Sequence, residues 1–160
     1  MTTNKYIAAY NDIISHLHET MEETLHSFAD ALEISKKKTS LSSDLSNDEL
    51  KTVSNYVERD LKHAAHKLTS NDNNSFSEWL KFDIEMLENF AMDAFLSVAD
   101  KTRVELAKLD QLAALNTYHA GDITSPGTFV CADCNKEIAF KSTSEIPVCP
   151  ACQGKTFVRV

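Results

Sequence analysis

All four cysteines of this 160-residue chain lie within the segment CADCNKEIAFKSTSEIPVCPAC, residues 131–152. They form two C-x-x-C pairs, Cys131/Cys134 and Cys149/Cys152, with 14 residues between the pairs. Each pair can curl into a tight knuckle that directs both sulfurs to one point, and two knuckles can enclose a tetrahedral ion. The gap in such sites is commonly about 15–20 residues, so this one is slightly short. We therefore predict that these four thiolates bind one metal ion.

The ligand set also indicates which ion is bound and what it does. A cage of four sulfurs suits zinc, and it also suits iron in a rubredoxin-like electron-transfer site. Because four cysteines fill the coordination shell, no position is open for a catalytic water. Two disulfides would need an oxidising compartment, and a thioredoxin-like redox pair accounts for one C-x-x-C motif only. The favoured interpretation is one structural Zn²⁺, with iron second and thiol chemistry third.

The glycines and prolines divide the chain into two parts. All three glycines and all three prolines lie beyond residue 120. Because these residues interrupt helices and form turns, a boundary is predicted near Gly121. Residues 1–120 are then a helical domain and residues 121–160 a zinc ribbon, with short strands at GTFVC, EIAFK and KTFVRV. A ribbon this small needs its ion, which can contribute on the order of 10–16 kcal/mol at neutral pH.

Three helical segments are predicted from apolar residues that recur at steps of three and four. The first spans about residues 3–35 and is followed by the polar connector SKKKTSLSSDLS. The second begins at Ser46, which can form a capping box with Glu49. The third runs from a second capping box, Ser75 and Glu78, to about Tyr118, with a kink or break expected near residues 100–102. The predicted fold is mainly α, an elongated, coiled-coil-like helical hairpin or three-helix bundle followed by a small β zinc ribbon with rubredoxin-like knuckles.

The charge distribution bears on partners and location. The formal net charge is −8, and residues 1–120 account for all of it, with 12 Lys+Arg against 20 Asp+Glu. An acidic body repels phosphate backbones, which disfavours nucleic-acid binding. No stretch approaches the roughly 20 apolar residues that span a bilayer, and no basic patch precedes an apolar run near the N-terminus. We expect a soluble, cytoplasmic protein.

The region from Asp100 onward resembles a bacterial family of zinc-ribbon-containing proteins of unknown function, the YbeL-like proteins. The matching features are DKT, Glu105, YHAGD, both C-x-x-C pairs with their gap, CPAC and the closing F-x-R. The resemblance implies a helical region joined to a C-terminal zinc ribbon, and it implies no activity. This chain has Gln153 where zinc ribbons commonly carry glycine, so we expect Gly154 to take over that turn. Asn135 follows the other knuckle, and asparagine tolerates a left-handed backbone.

Two carboxylate-x-x-His pairs, Glu23/His26 and Asp60/His63, have the pattern that di-iron bundles use when it points inward. Counted at 100° per residue, Glu23, His26 and His63 lie away from the apolar stripes of their helices, and Asp60 only borders its stripe. We therefore expect them to face solvent, and we expect the same of His66 beside His63.

Two further polar residues lie at the junction of the two parts, and a third lies on the third helical segment. His119 and Asp122 in YHAGD are expected to hold the helical part and the ribbon together through hydrogen bonds, since Gly121 can end a helix there. Glu105 lies on the apolar stripe of the third segment, where a buried carboxylate needs a partner. We expect a structural polar contact from it and no general-acid role.

These observations favour a non-enzymatic, protein-binding adaptor with a structural Cys₄ zinc site. The ribbon offers β-hairpin edges and a basic set, Lys136, Lys141, Lys155 and Arg159. A row formed by Trp79, Met86 and Phe90 widens one helical face, which is expected to pack within the bundle, a homo-oligomer or partner surface being the alternative. Nucleic-acid-associated binding through the ribbon is the first alternative function, and rubredoxin-like electron transfer with bound iron is the second.

Overall fold

The structure is a computed structural model that describes residues 4–23, 28–70, 80, 85, 87, 90, 92–107 and 117–159. Its N-terminal part has four α-helices, α1 (Lys5–Glu23), α2 (Phe28–Ser42), α3 (Asn47–Ser70) and α4 (Met92–Ala107). Its C-terminal part has six short strands, β1 (Thr117–His119), β2 (Ile123–Thr124), β3 (Gly127–Cys131), β4 (Glu137–Phe140), β5 (Ser144–Glu145) and β6 (Thr156–Arg159). The predicted fold class, a helical region followed by a small β region that carries the four cysteines, is confirmed.

The first predicted helix is in fact two helices. α1 and α2 pack against each other as an antiparallel hairpin, in which His16 Nδ1 lies 3.0 Å from Thr39 Oγ1. The predicted connector is also wrong in part, because α2 continues through it to Ser42. Its serines remain compatible with a helix because their hydroxyls donate to carbonyls of the preceding turn, as Ser35 does to Ala31.

The helix α3 follows the prediction closely. Ser46 and Glu49 form the expected reciprocal capping box, since the Glu49 N–H donates to Ser46 Oγ and the Ser46 N–H donates to Glu49 Oε1, both at 3.2 Å. The predicted apolar stripe is buried along the described length of the helix, at Leu50, Val53, Val57, Leu61 and Ala64. This stripe packs against α1, α2 and α4.

The third predicted helix differs in both its interruption and its end. Leu87 and Phe90 are not helical, and α4 begins at Met92 and runs through residues 100–102 without the expected break. The capping box at Ser75 and Glu78 lies outside the described residues. The end of the segment is a strand rather than a helix, because β1 pairs with β6 and buries Tyr118 in the ribbon core.

The strands form two antiparallel sheets. The larger sheet has the order β1-β6-β3-β4, and β2 pairs with β5 in a separate two-stranded sheet. In the larger sheet Phe157 of β6 lies opposite both Tyr118 and Cys131. This row joins the first knuckle to the strand that follows the helical part.

Two apolar clusters make up the core. The larger one fills the space between the four helices, and Ile123 of β2 belongs to it with only 2% of its surface exposed. The smaller one lies in the ribbon and consists of Tyr118, Phe129, Cys131, Ile146, Cys149 and Phe157. Since a strand residue is buried among helices, the ribbon is docked against the helical bundle.

Candidate metal centre

The two C-x-x-C pairs form knuckles with the same backbone pattern. In the first, the Asn135 N–H donates to the Cys131 carbonyl at 2.9 Å, and the Cys131 N–H donates to the Lys136 carbonyl at 2.9 Å. In the second, the Gln153 N–H donates to the Cys149 carbonyl at 2.8 Å, and the Cys149 N–H donates to the Gly154 carbonyl at 2.9 Å. Each cysteine pair is thereby held on a closed turn whose shape is set by main-chain bonds.

The four sulfurs converge on one point. All four Sγ atoms lie within 4.8 Å of one another, and the two cross-knuckle pairs, Cys131–Cys152 and Cys134–Cys149, are both 3.6 Å apart. Sulfurs around a tetrahedral zinc at about 2.3 Å would be about 3.8 Å apart. The residues present therefore fit a tetrahedral Cys₄ metal site. Cys131 and Cys149 are buried and Cys134 and Cys152 exposed, so the site lies at the edge of the ribbon core.

The position of the glycine differs from the expectation. Gln153 itself adopts the left-handed conformation, with φ of 64°, as Asn135 does with φ of 63°. Gly154 does not take over that turn, and its role is steric. A Cβ at Gly154 would lie 3.1 Å from Cys131 Sγ and 3.2 Å from Cys152 Sγ, and the Gly154 N–H donates to Cys152 Sγ at 3.4 Å.

The thiols differ in acidity. N–H groups of the second knuckle, from Cys152 and Ala151, stabilise the thiolate of Cys149 and lower its pKa to about 7. The Gly154 N–H acts in the same direction on Cys152, but the neighbouring sulfurs outweigh it and raise the pKa of Cys152 to about 12. A dication at the centre would allow all four thiols to lose their protons together.

One link between the ribbon and the bundle is a buried carboxylate, that of Asp60 on α3; others are the hydrogen bonds from Thr128 Oγ1 to the Leu80 carbonyl at 2.8 Å and from Thr143 Oγ1 to Asn11 Oδ1 at 2.6 Å. The Asp60 side chain is fully buried and accepts hydrogen bonds on both oxygens. Oδ1 accepts from Arg59 Nε and the Tyr118 hydroxyl, both at 3.1 Å. Oδ2 accepts from the Tyr10 hydroxyl, from Thr124 Oγ1 at 3.3 Å and from the Ser125 N–H at 3.0 Å. These donors come from α1, from α3 and from the ribbon.

Two arginines supply the positive charge for this network. Arg59 bridges Asp60 and Asp122, reaches the Ile123 carbonyl at 2.9 Å, and stacks on the Tyr118 ring at 4.0 Å. Arg159 on β6 is only 3% exposed and donates to the Pro126 carbonyl. Burial alone would raise the pKa of Asp60, but Arg59 and Arg159 together with the hydrogen bonds bring that pKa below its usual value.

Several predicted polar residues lie elsewhere than expected. The carboxylate of Asp60 and the imidazole of His63 are buried, so the prediction that they face solvent is wrong. Asp122 joins the two parts as expected, through Arg59, while the His119 side chain is largely exposed. Arg159 is buried, so it does not belong to the exposed basic set. The predictions for Glu23, His26, His66, Trp79, Met86 and Glu105 concern side chains outside the described ones.

Most of the Asp60 network could not be anticipated from the sequence. Asp60 lies at the border of the α3 stripe, and Tyr10 reads as an ordinary core residue of α1. The one available signal was YHAGD, which the sequence places at the junction and which contributes Tyr118 and Asp122 to the network.

The fold and the site define a class, a helical bundle that carries a docked ribbon with a four-cysteine metal site. The family model of a zinc-ribbon containing domain matches residues 15–160, so the chain belongs to that family. The match confirms the predicted family and extends it well beyond the last 60 residues. No curated protein and no solved structure matches the chain. In the described part of the chain, no helix has both the length and the apolar character that crossing a membrane requires.

Proposed function

We propose that the four sulfurs hold one Zn²⁺ and that the ion is structural. The observation that carries this proposal is the convergence of four thiols within 4.8 Å on two closed knuckles. Four sulfur ligands leave a tetrahedral zinc no open position, so the ion would bind no substrate and activate no water. It would supply the cross-link between β3 and the segment before β6.

The protein would act by binding another protein in the cytoplasm, without catalysis. The buried polar cluster around Asp60 is occupied by the chain's own donors and does not open to a substrate. The knuckles, in contrast, present a rigid and exposed surface made of Asp133, Asn135, Lys136, Pro150, Ala151, Gln153 and Lys155. Such a surface, fixed by an ion beneath it and by a bundle behind it, is suited to protein recognition.

A metal assay on protein purified without added metal tests the first part. We expect one zinc per chain and a colourless solution. Stoichiometric iron with reversible one-electron chemistry would replace the zinc proposal by the electron-transfer alternative.

Affinity capture from the native cytoplasm tests the second part. Three baits are compared, the intact chain, a knuckle variant with Lys136→Glu and Lys155→Glu, and a bundle variant with Lys37→Glu and Lys51→Glu. All four lysines are exposed, so the two variants carry equal charge changes on different surfaces. We expect a protein retained by the intact chain and the bundle variant and lost from the knuckle variant. Retention of nucleic acid that is released by nuclease and by salt would instead support the alternative function.

A further inference from the structure

The outer edge of β4 has main-chain groups that are not paired with another described strand. β4 is the last strand of the larger sheet and pairs only with β3 among the described strands. The Cys131 N–H donates to the Lys136 carbonyl, and Phe129 and Gly127 lie opposite Ile138 and Phe140. In an antiparallel ladder the hydrogen-bonded positions alternate, so even-numbered residues of β4 bond to β3. The N–H and C=O groups of the odd-numbered residues therefore point away from the sheet.

The side chains along this edge alternate in the same way. Glu137 and Ala139 are exposed and lie on one face. Ile138 and Phe140 lie on the other face, half-buried against the ribbon core. The exposed Lys141 follows the strand directly, so β4 and the residue after it combine outward main-chain groups, one exposed acid, one exposed base and an apolar pair in the order Glu-Ile-Ala-Phe-Lys.

We propose that two copies of this chain pair through β4, antiparallel and around a two-fold axis at Ala139. In this register Glu137 of each copy lies opposite Lys141 of the other, and Ile138 lies opposite Phe140. Position 139, whose main-chain groups point outward, faces its own copy and exchanges two hydrogen bonds with it. Lys141, just beyond the end of β4, brings its side chain to Glu137 of the other copy. The contact is isologous, and the larger sheet continues across it.

Charge complementarity favours a second copy of this chain as the partner of β4, and it favours the antiparallel alignment centred on Ala139. A parallel alignment in register would place Glu137 beside Glu137 and Lys141 beside Lys141, and like charges directly opposite each other are unfavourable. The small Ala139 at the axis leaves room for its own copy. Charged residues often prevent two sheet edges from pairing. Here Glu137 and Lys141 lie at equal distances along the chain from Ala139, so a second, antiparallel copy places an opposite charge beside each of them. Because the strand is short, the dimer is weak and concentration-dependent.

Sedimentation equilibrium of the zinc-loaded full chain, at concentrations up to roughly 1 mM, tests the proposal. We expect a reversible monomer–dimer equilibrium for the wild type. Glu137→Lys and Lys141→Glu each place like charges opposite each other and should weaken the dimer about 10-fold or more. The double variant Glu137→Lys/Lys141→Glu restores opposite charges and should return the dissociation constant to within about 3-fold of the wild type.

Ala139→Pro provides a test that does not depend on charge. Proline removes the outward N–H at the axis while leaving the bonds to β3 in place, so the variant should keep its zinc and lose the dimer. A wild type that stays monomeric would overturn the proposal. So would single charge variants that dimerise as well as the wild type, or a double variant that does not recover, because either result would place the contact elsewhere.

Discussion

Two clusters hold the ribbon in place, the four cysteines at its metal end and the Asp60 network at its inner end, and they are built in different ways. At the metal end, four thiols from one short segment converge, and two of them are exposed. At the inner end, a single buried carboxylate from α3 gathers donors from the ribbon and from α1, which lie about 50 to 65 positions away along the chain. The first cluster is local in sequence and needs an ion to be complete, whereas the second is non-local and already complete.

The two ends are linked through the sheet. Tyr118 bonds to Asp60 and lies opposite Phe157, which in turn lies opposite Cys131 of the first knuckle. Anything that orders the knuckles also orders the strands that reach Asp60. Coupling of this kind is reciprocal, so weakening the inner end should lower the affinity of the metal end for its ion.

The largest expected effect is loss of the metal end. With Cys131, Cys134, Cys149 and Cys152 all changed to Ser, the ion is lost and residues 117–159 should lose their ordered NMR signals and amide protection. The helices should keep their far-UV circular dichroism, because their core is formed almost entirely by helical residues. Ala132→Ser/Ala151→Ser is the control, since it adds hydroxyls at exposed positions of the same knuckles and spares the thiols. A ribbon that stays ordered without metal would show that the four cysteines and their ion are not needed to hold it.

The second effect concerns the inner end. Asp60→Ala leaves Arg59 Nε and two tyrosine hydroxyls without their acceptor in a buried site, and should lower the free energy of unfolding by about 3–5 kcal/mol. Urea unfolding of the zinc-loaded protein measures this change, and competition with a chelator measures the accompanying drop in zinc affinity.

Glu58→Ala is the matched control for Asp60→Ala. Glu58 lies two positions earlier on α3 and pairs with Lys62 at 2.8 Å near the surface, so its loss should cost at most about 1 kcal/mol. If the two variants unfold at the same urea concentration, the Asp60 network is not what holds the ribbon. If zinc affinity is unchanged in Asp60→Ala, the two ends are independent.

The contrast between the two ends also explains what could be predicted from the sequence. The metal end was predictable because its four ligands repeat one local motif at a fixed spacing. Periodicity likewise predicted the buried stripe of α3, and Ser46 predicted its start. The Asp60 network was not predictable, because periodicity indicates which face is buried and not which polar group has a partner there. The end of α1 at Glu23 was missed for a related reason, since no glycine or proline follows it before Phe28.

A smaller effect, back at the metal end, should follow from Gly154→Ala. The added Cβ would lie 2.5 Å from Asp133 Oδ2, the end of an exposed side chain that can move aside, and 3.1 and 3.2 Å from two sulfurs, which have little freedom to move when bound to an ion. Overpacking of this kind costs about 1–3 kcal/mol, so zinc affinity should fall about 5- to 150-fold in a chelator competition. Lys136→Ala is the control, because position 136 is equivalent in the first knuckle and already carries a Cβ. Equal affinities for the two variants would show that the sulfur cage is loose.

The smallest effect compares the two knuckle turns directly. Gln153 and Asn135 both have φ near 64°, a conformation that costs glutamine about 1–2 kcal/mol and asparagine less. Gln153→Gly removes that cost while making the unfolded chain more flexible, so the net gain in stability should be about 1 kcal/mol or less. Asn135→Gly should gain little or nothing, and the difference between the two shifts in thermal midpoint isolates the backbone contribution. A loss of stability in Gln153→Gly would mean that the glutamine side chain makes a contact that offsets its unfavourable backbone.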